Sequence, residues 1–280
     1  MSSPRTDNWD PLAYMDQVPT SQCLQRLQRD IADFHANPLP GLFISPEEGN
    51  VTKLHALVVG PAGTPYEGGF FQFLMKFPPD YPISPPRVRI VTTDAGRVAF
   101  NPNLYASGKV CLSILGTWFG PAWSPVQGLE SVLISVQSLV SEKPYHNEPA
   151  FAQLERSPGD AKRYDDFIQH ETIRVAVCGM VEAALRDNPE CPKAFREEIL
   201  KAFAENCGKF EDIANNLHRT NTMMYNVLAA AAGVFQYETL LTRLRALKKE
   251  VNDKIEAAAA AKRNDQIAAD IPAPAAGQGN

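Results

Sequence analysis

The sequence predicts an α+β fold built on an antiparallel sheet. Three observations carry that prediction. A helix with one apolar face comes first, stretches of alternating apolar and polar residues follow, and a proline-crowded loop interrupts them.

In "TSQCLQRLQRDIADFHAN", Thr20 or Ser21 can cap a helix, and Leu24, Leu27, Ile31 and Phe34 share one face. Pro38 ends that helix at about Asn37, because proline disfavours helix in the residue before it. "TKLHALVVG" then places Leu54, Ala56 and Val58 on one side of a strand, and "FFQFLMKF" and "RVRIVTT" alternate in the same way. Between these last two lies "PPDYPISPP", whose five prolines in nine residues exclude helix and central strand. Further on, "VQGLESVLISVQSLVSE" steps by three and four through Leu129, Val132, Leu133, Val136, Leu139 and Val140, the pattern of a buried helix. A long helix is expected from "RSPGDAKRYDD" onward, with Ser157 as cap and Pro158 at its first position. Residues 192–262 read as mostly helical, ending in an Ala- and Lys-rich solvated stretch. The expected organisation is a flexible leader over 1–18, a folded core over 19–185, a helical extension over 186–262 and a disordered tail over 263–280.

Composition narrows the function. The chain has 280 residues, 44% hydrophobic and 21% charged, as a soluble globular protein would. Its net charge of −5 argues against a nucleic-acid partner. No apolar run approaches the ~18 residues of a membrane span. "MSSPRTDNWDPLAYMDQ" lacks the basic and apolar regions of a secretory signal. A cytoplasmic or nuclear protein with reduced thiols is expected. Cys23, Cys111, Cys178, Cys191 and Cys207 show no CxxC spacing, so neither a disulfide framework nor a metal site is expected.

One of these cysteines draws attention. Val110, Leu112, Ile114 and Leu115 surround Cys111, which fits a buried structural residue. Yet "NPNLYASGK" before it is a polar turn region, so Cys111 sits where irregular chain meets ordered chain. Asn103, eight residues upstream, offers an amide donor, and Trp118 and Trp123 downstream could shape a groove. A cysteine-protease reading needs a histidine in reach. His146, with Asn147 beside it, is the tempting one, but the flanks of Cys111 match no papain or caspase signature.

The order of "LQRLQRDI", "GPAGTPYEGGFFQFLMKFPPDYPISPPRVRIVT", "FNPNLYASGKVCLSIL" and "WSP" resembles the catalytic core of the ubiquitin-conjugating enzymes. "TPYEGGFF", "GKVCLSILGTWFGPAWSP", "KPYHNEPAF" and the later "HETIRVAVC" are similar to the Z-type branch of that family. The resemblance covers roughly residues 20–185 and, more weakly, 235–250. It implies the UBC fold, an antiparallel four-stranded sheet flanked by helices, here with a helical C-terminal extension.

The resemblance also implies an activity. Cys111 takes the place of the cysteine that accepts ubiquitin, or a ubiquitin-like modifier, as a thioester from an activating enzyme and passes it to a substrate lysine, usually with a ligase. Asn103 takes the asparagine of the family's His-Pro-Asn motif, whose amide stabilises the oxyanion or orders the loop. Asn101 stands where the family usually has histidine, a departure the Z-type branch shares. No cofactor is implied, since ATP is consumed by the upstream activating enzyme. Z-type members are charged by the alternative ubiquitin-activating enzyme and can carry a diubiquitin-like modifier. The competing class is a catalytically inactive scaffold of the same fold that binds ubiquitin or ligases; such variants lose the cysteine.

Family members place an acid on the loop that here reads "SEKPYHNEPAF", and His146, Asn147 and Glu148 all compete for that role, or else cap and order the loop. "GTWFGPAW" is longer than in minimal members and reads either as a lip over the site or as a packed surface hairpin. Arg26 and Arg29 resemble the region that docks the activating enzyme. Ile83, with Trp123, Ser124 and Pro125, resembles the two loops that ligases grip.

Overall fold

The computed structural model describes residues 8–220, 223–229 and 231–269. Helix α1 (Ser21–Ala36) is capped by Thr20, whose hydroxyl accepts from Cys23 N, and it stops at Asn37. Strands β1 (Leu42–Glu47), β2 (Asn50–Val59), β3 (Phe70–Lys76) and β4 (Arg87–Ile90) form an antiparallel sheet in chain order. The register sets Ala56 against Phe73, Leu54 against Met75 and Phe73 against Ile90, so the inward residues of neighbouring strands line up. That face packs on Leu27 and Phe34 of α1 and on Leu129, Val132, Leu133 and Val136 of α2 (Leu129–Gln137). Leu139 and Val140 are buried too, just past the end of that helix.

An alternating strand predicts one wet face. Here all seven residues of β3 are buried. Leu57 and Phe70 on the outer face belong to a second core with Val177, Phe195, Phe203, Phe210 and Leu244. The elements after the sheet supply that cover: α3 (Asp160–Glu171), a π-helical segment (Thr172–Gly179), α4 (Met180–Leu185), α5 (Lys193–Thr220) and α6 (Tyr237–Ala269).

Several expectations need correction. Residues 8–18 of the leader are packed: Asp10 pairs with Arg89 at 2.6 Å, and the Arg87 guanidinium lies 3.7 Å from the Tyr14 ring centroid. Residues 1–7 lie outside the described residues. Ser157 does not cap α3. The helix starts at Asp160 after a left-handed Gly159, and the Glu155 carboxylate accepts from Gly159 N at 2.6 Å and Ala161 N at 3.3 Å. The extension is not purely helical, since β5 (Met223–Asn226) and β6 (Ala231–Val234) form a hairpin between α5 and α6. Helix α6 runs to Ala269, into the stretch expected to be disordered, and residues 270–280 lie outside the described residues.

The joint between sheet and extension depends on Gly68. Its φ is +70°, and a Cβ there would come within 2.7 Å of the Phe210 ring on α5. Gly49 has a similar φ of +77° but nothing within 4 Å. Gly68→Ala is therefore expected to cost about 2–4 kcal/mol and Gly49→Ala about 1 kcal/mol. Thermal denaturation of the two variants checks this; equal losses would contradict the packing argument.

Candidate active site

Residues 101–111 fold into a small looped ladder. Asn101 and Val110 each bridge to Leu104, Tyr105 N donates to Lys109 O at 3.0 Å, and Cys111 N donates to Asn103 O at 2.9 Å. The turn needs Gly108. Its φ is +95°, and a Cβ there would meet the Arg89 side chain at 2.8 Å.

Asn101 fastens this ladder to the body. Its Nδ2 donates to Leu139 O at 2.8 Å and to the Tyr66 hydroxyl oxygen at 3.2 Å, and its Oδ1 accepts from Asn103 N at 2.9 Å. Tyr66 in turn donates to Phe100 O at 2.6 Å. Asn103 Nδ2 donates to Cys111 O at 3.0 Å, which ties the asparagine loop to the backbone of the cysteine. An amide nitrogen carries two hydrogens, and this bond uses one.

The Cys111 side chain is covered, with only 1% of the residue exposed. Burial pushes its thiol up from the ordinary value, while the Tyr105 hydroxyl and the Lys109 charge draw it back down. Tyr105 is itself 38% exposed. Its phenol is raised first by burial, then by Cys111 and Glu148. Glu148 thus acts on the immediate neighbour of the thiol. His146 turns elsewhere: its Nδ1 donates to Phe151 O at 2.8 Å. Asn147 is half-buried between them. Of the residues named from sequence, the fold joins Cys111 and Asn103 through a direct hydrogen bond. Tyr105 was missed, although it stands two residues after Asn103 and could have been noticed there.

The chain after Cys111 turns back on it. Ser113–Leu115 forms one 3-10 turn, Gly116 adopts φ +69°, and Thr117 Oγ1 donates to Val110 O at 2.6 Å while accepting from Leu112 N at 3.0 Å. Trp118 and the 75% exposed Phe119 then wall a groove of about 890 Å³, closed on the far side by Trp9, Pro86 and Arg87. The segment is a folded loop whose aromatic side chains wall this groove, and Cys111 is not among the groove's lining residues.

Arg26 and Arg29 separate in the structure. Arg29 is exposed. Arg26 is spent internally, donating to Asp30 Oδ1 at 2.8 Å, Pro125 O at 2.9 Å and Gln127 O at 2.7 Å. Asp30 also accepts from the Tyr81 hydroxyl and from Leu129 N. Trp123 Nε1 donates to Pro82 O at 2.7 Å, and Gln127 Oε1 accepts from Ser124 N at 2.9 Å. So α1 holds the two proline loops side by side. What they present outward is Ile83, 64% exposed, with Pro125 and Val126.

Comparison with known proteins places these features. The family model described as ubiquitin-conjugating enzyme matches residues 26–172. The chain is 48% identical over 258 residues to ubiquitin-conjugating enzyme E2 Z of Danio rerio, covering 91% of this chain and 77% of that protein. It is 48% identical over 252 residues to the E2 Z of Homo sapiens, covering 89% and 70%. The dual ubiquitin-conjugating enzyme and ubiquitin-protein ligase BIRC6 of Homo sapiens is 41% identical over 170 residues, 58% of this chain and 3% of that protein. The E2 Z matches run well past the family model and into the C-terminal extension. This chain belongs to the ubiquitin-conjugating enzyme family, and it is an acyltransferase of the kind that works through a cysteine thioester.

Proposed function

We propose that Cys111 is the residue that carries the modifier. The observation that carries this reading is the bond from Asn103 Nδ2 to Cys111 O, which fixes a second amide hydrogen beside the cysteine. In the first step the Cys111 thiolate attacks the thioester carbonyl on the activating enzyme. A new C–S bond forms, the old one breaks, and the activating enzyme's thiolate leaves. Exchange of one thioester for another is nearly neutral in energy, so it needs access rather than a strong base. In the second step a lysine amine attacks that carbonyl, a C–N bond forms, and Cys111 departs as thiolate. Asn103 meets the oxyanion, and the Glu148 carboxylate accepts the proton that the incoming ammonium gives up so that its amine can attack. No metal or cofactor enters either step.

Partners follow from the same assignment. Ubiquitin, an activating enzyme and ligases are the partners of the family as a whole. For this chain we assign ligase docking to Ile83 and Pro125, with Trp123 and Ser124 shaping the second loop, and activating-enzyme docking to Arg29. Arg26 acts there by holding the loop rather than by direct contact. The alternative activating enzyme is the charging partner we assign, on the identity with E2 Z over nine-tenths of the chain. All five cysteines are free, which fits a reducing cytoplasmic or nuclear setting.

A non-reducing gel of the protein with ubiquitin, ATP and each activating enzyme in turn tests this. A thiol-sensitive adduct is expected, strongest with the alternative enzyme and absent in Cys111→Ala. No adduct with either enzyme would leave only the scaffold reading.

The second step gives two variants. Asn103→Ala is expected to slow lysine discharge roughly 100-fold and Glu148→Gln roughly 10-fold. Pulse-chase discharge of the charged protein measures both, and discharge at the parent rate contradicts the roles given.

Alkylation of the uncharged protein reads the thiol itself. Because burial raises the thiol above 9.0, the rate is expected to climb about tenfold per pH unit and to show no plateau by pH 9.0. Tyr105→Phe removes the hydroxyl that draws the thiol down, so at fixed pH it slows alkylation if cover is unchanged. A plateau near neutral pH would mean that the thiolate is already formed at rest.

A further inference from the structure

The segment before α1 is bound to the strand that borders the cysteine ladder. Asp10 divides its carboxylate between two partners. Its Oδ1 accepts from Leu12 N at 3.0 Å and so caps the short turn Pro11–Tyr14, while its Oδ2 accepts from Arg89 Nη1 at 2.6 Å. The Arg89 guanidinium carbon also lies 5.6 Å from the Trp9 ring centroid. Trp9 and Asp10 thus hold one arginine of β4 in place.

Arg89 reaches the ladder in two ways. Its backbone forms an antiparallel bridge with Lys109, and Ile90 N donates to Gly108 O at 2.9 Å. Its side chain runs over the bare face of Gly108, with Cγ, Nε and Cζ at 2.8, 2.8 and 2.9 Å from where a Cβ would stand. From that turn the ladder closes rung by rung. Tyr105 pairs with Lys109, Leu104 with Val110, and Asn103 with Cys111. Leu104 and Val110 are fully buried, so the alternation of an antiparallel pair sets Asn103, Tyr105, Lys109 and Cys111 on the other face.

Charge makes this joint conditional. Arg89 and Lys109 are partners across an antiparallel bridge, and such partners share a face, so two cations stand side by side. Like charges placed in this way push apart, and Asp10 supplies a carboxylate at Arg89 that offsets them. The ion pair is open to water, its side chains 32% and 27% exposed, and a pair of that kind contributes little to global stability. Its effect lies in where it holds Arg89.

We infer that Asp10 is a positioning residue for transfer to lysine: by neutralising Arg89 it keeps the turn at Gly108 closed, and the closed ladder keeps the Asn103 amide against Cys111. This role rests on those proposed above for Asn103 and Cys111. No covalent step occurs at Asp10. Without its charge, Arg89 and Lys109 separate, the rung at Tyr105 loosens, and the donor amide loses its fixed place beside the thioester carbonyl.

The test uses the full chain, charged with ubiquitin and chased with free lysine in a single turnover. Asp10→Asn keeps an acceptor for Leu12 N and removes the charge. It is expected to charge at the parent rate, to melt within about 2 °C of the parent and to discharge roughly three- to tenfold more slowly. Hydrogen exchange at the Tyr105 and Cys111 amides is expected to quicken by roughly the same factor, while the amides of β2 and β3 keep their parent rates. Arg89→Gln keeps the stem over Gly108 and removes the facing cation, so adding it to Asp10→Asn is expected to restore most of the lost rate. Adding Asp10→Asn to Asn103→Ala is expected to slow discharge no further, because Asp10 acts through that amide.

Discharge of Asp10→Asn at the parent rate overturns the inference. So does a slow Asp10→Asn that Arg89→Gln leaves slow, or a parallel fall in charging, discharge and melting temperature, either of which would mark a merely structural role. Asn103→Ala is run alone beside them. If that variant is slow and Asp10→Asn is not, the inference alone fails. If Asn103→Ala discharges at the parent rate, the reading of the ladder fails and takes the inference with it.

Discussion

The reactive end of this molecule hangs on one buried amide. Asn101 touches Leu139, Tyr66 and Asn103 at once, so a single side chain joins the end of α2, the β2–β3 connection and the loop before the cysteine. Asparagine suits that place because it offers donors and an acceptor without a charge to desolvate. Remove it and three buried polar groups lose a partner together. The geometry of Asn103 depends on it directly, since Asn103 N donates to the Asn101 side chain. Asn101 thus serves as the scaffold of this loop.

A second constraint works from the other side of the sheet. An antiparallel sheet can leave one face wet, yet here the outer face carries Leu57 and Phe70 into a second core. The ions around the joint reinforce the contact: Arg174 bridges Glu171 and Asp94, and Arg243 binds Glu182 and the Arg174 carbonyl. His170 accepts from Gln236 N at 3.2 Å, so the entry to α6 is tied to the end of α3. The extension and the catalytic core are therefore a continuous packing unit, and the sheet that carries the active-site loops is stiffened from behind.

Periodicity made much of this legible. The α1 face, the inward residues of β2 and the buried stripe of α2 follow from spacing alone, since one face of each is dry. The order of motifs supplied the family, and with it Cys111 and Asn103. What stayed hidden has physical reasons. The helix start at Asp160 is capped by Glu155 from outside the usual capping position, which no local rule anticipates. The β5–β6 hairpin sits in an Ala-rich stretch with strong helical propensity, and packing on α3 overrides it. Arg26 looked like a surface charge because the carbonyls it binds lie about 100 residues away. Tyr105 looked like turn filler, because its partner is reached only once the ladder closes.

The covered thiol gives the site its character. A cysteine hydrolase must form thiolate against an unactivated amide, and it keeps a histidine at the sulfur for that purpose. This site has a phenol there instead, and a carboxylate beyond it. Burial, more than it is offset by the phenol and Lys109, favours a neutral, guarded thiol in the uncharged protein and opposes adventitious oxidation, which follows thiolate character and exposure. An incoming thioester already carries the activation, so the free energy of the bond replaces a base. In the function proposed above, the carboxylate acts after charging, when an ammonium must shed its proton beside the carbonyl. The chemistry is thus divided between a partner that supplies an activated acyl group and a fold that supplies cover, a donor amide and a well-placed negative charge.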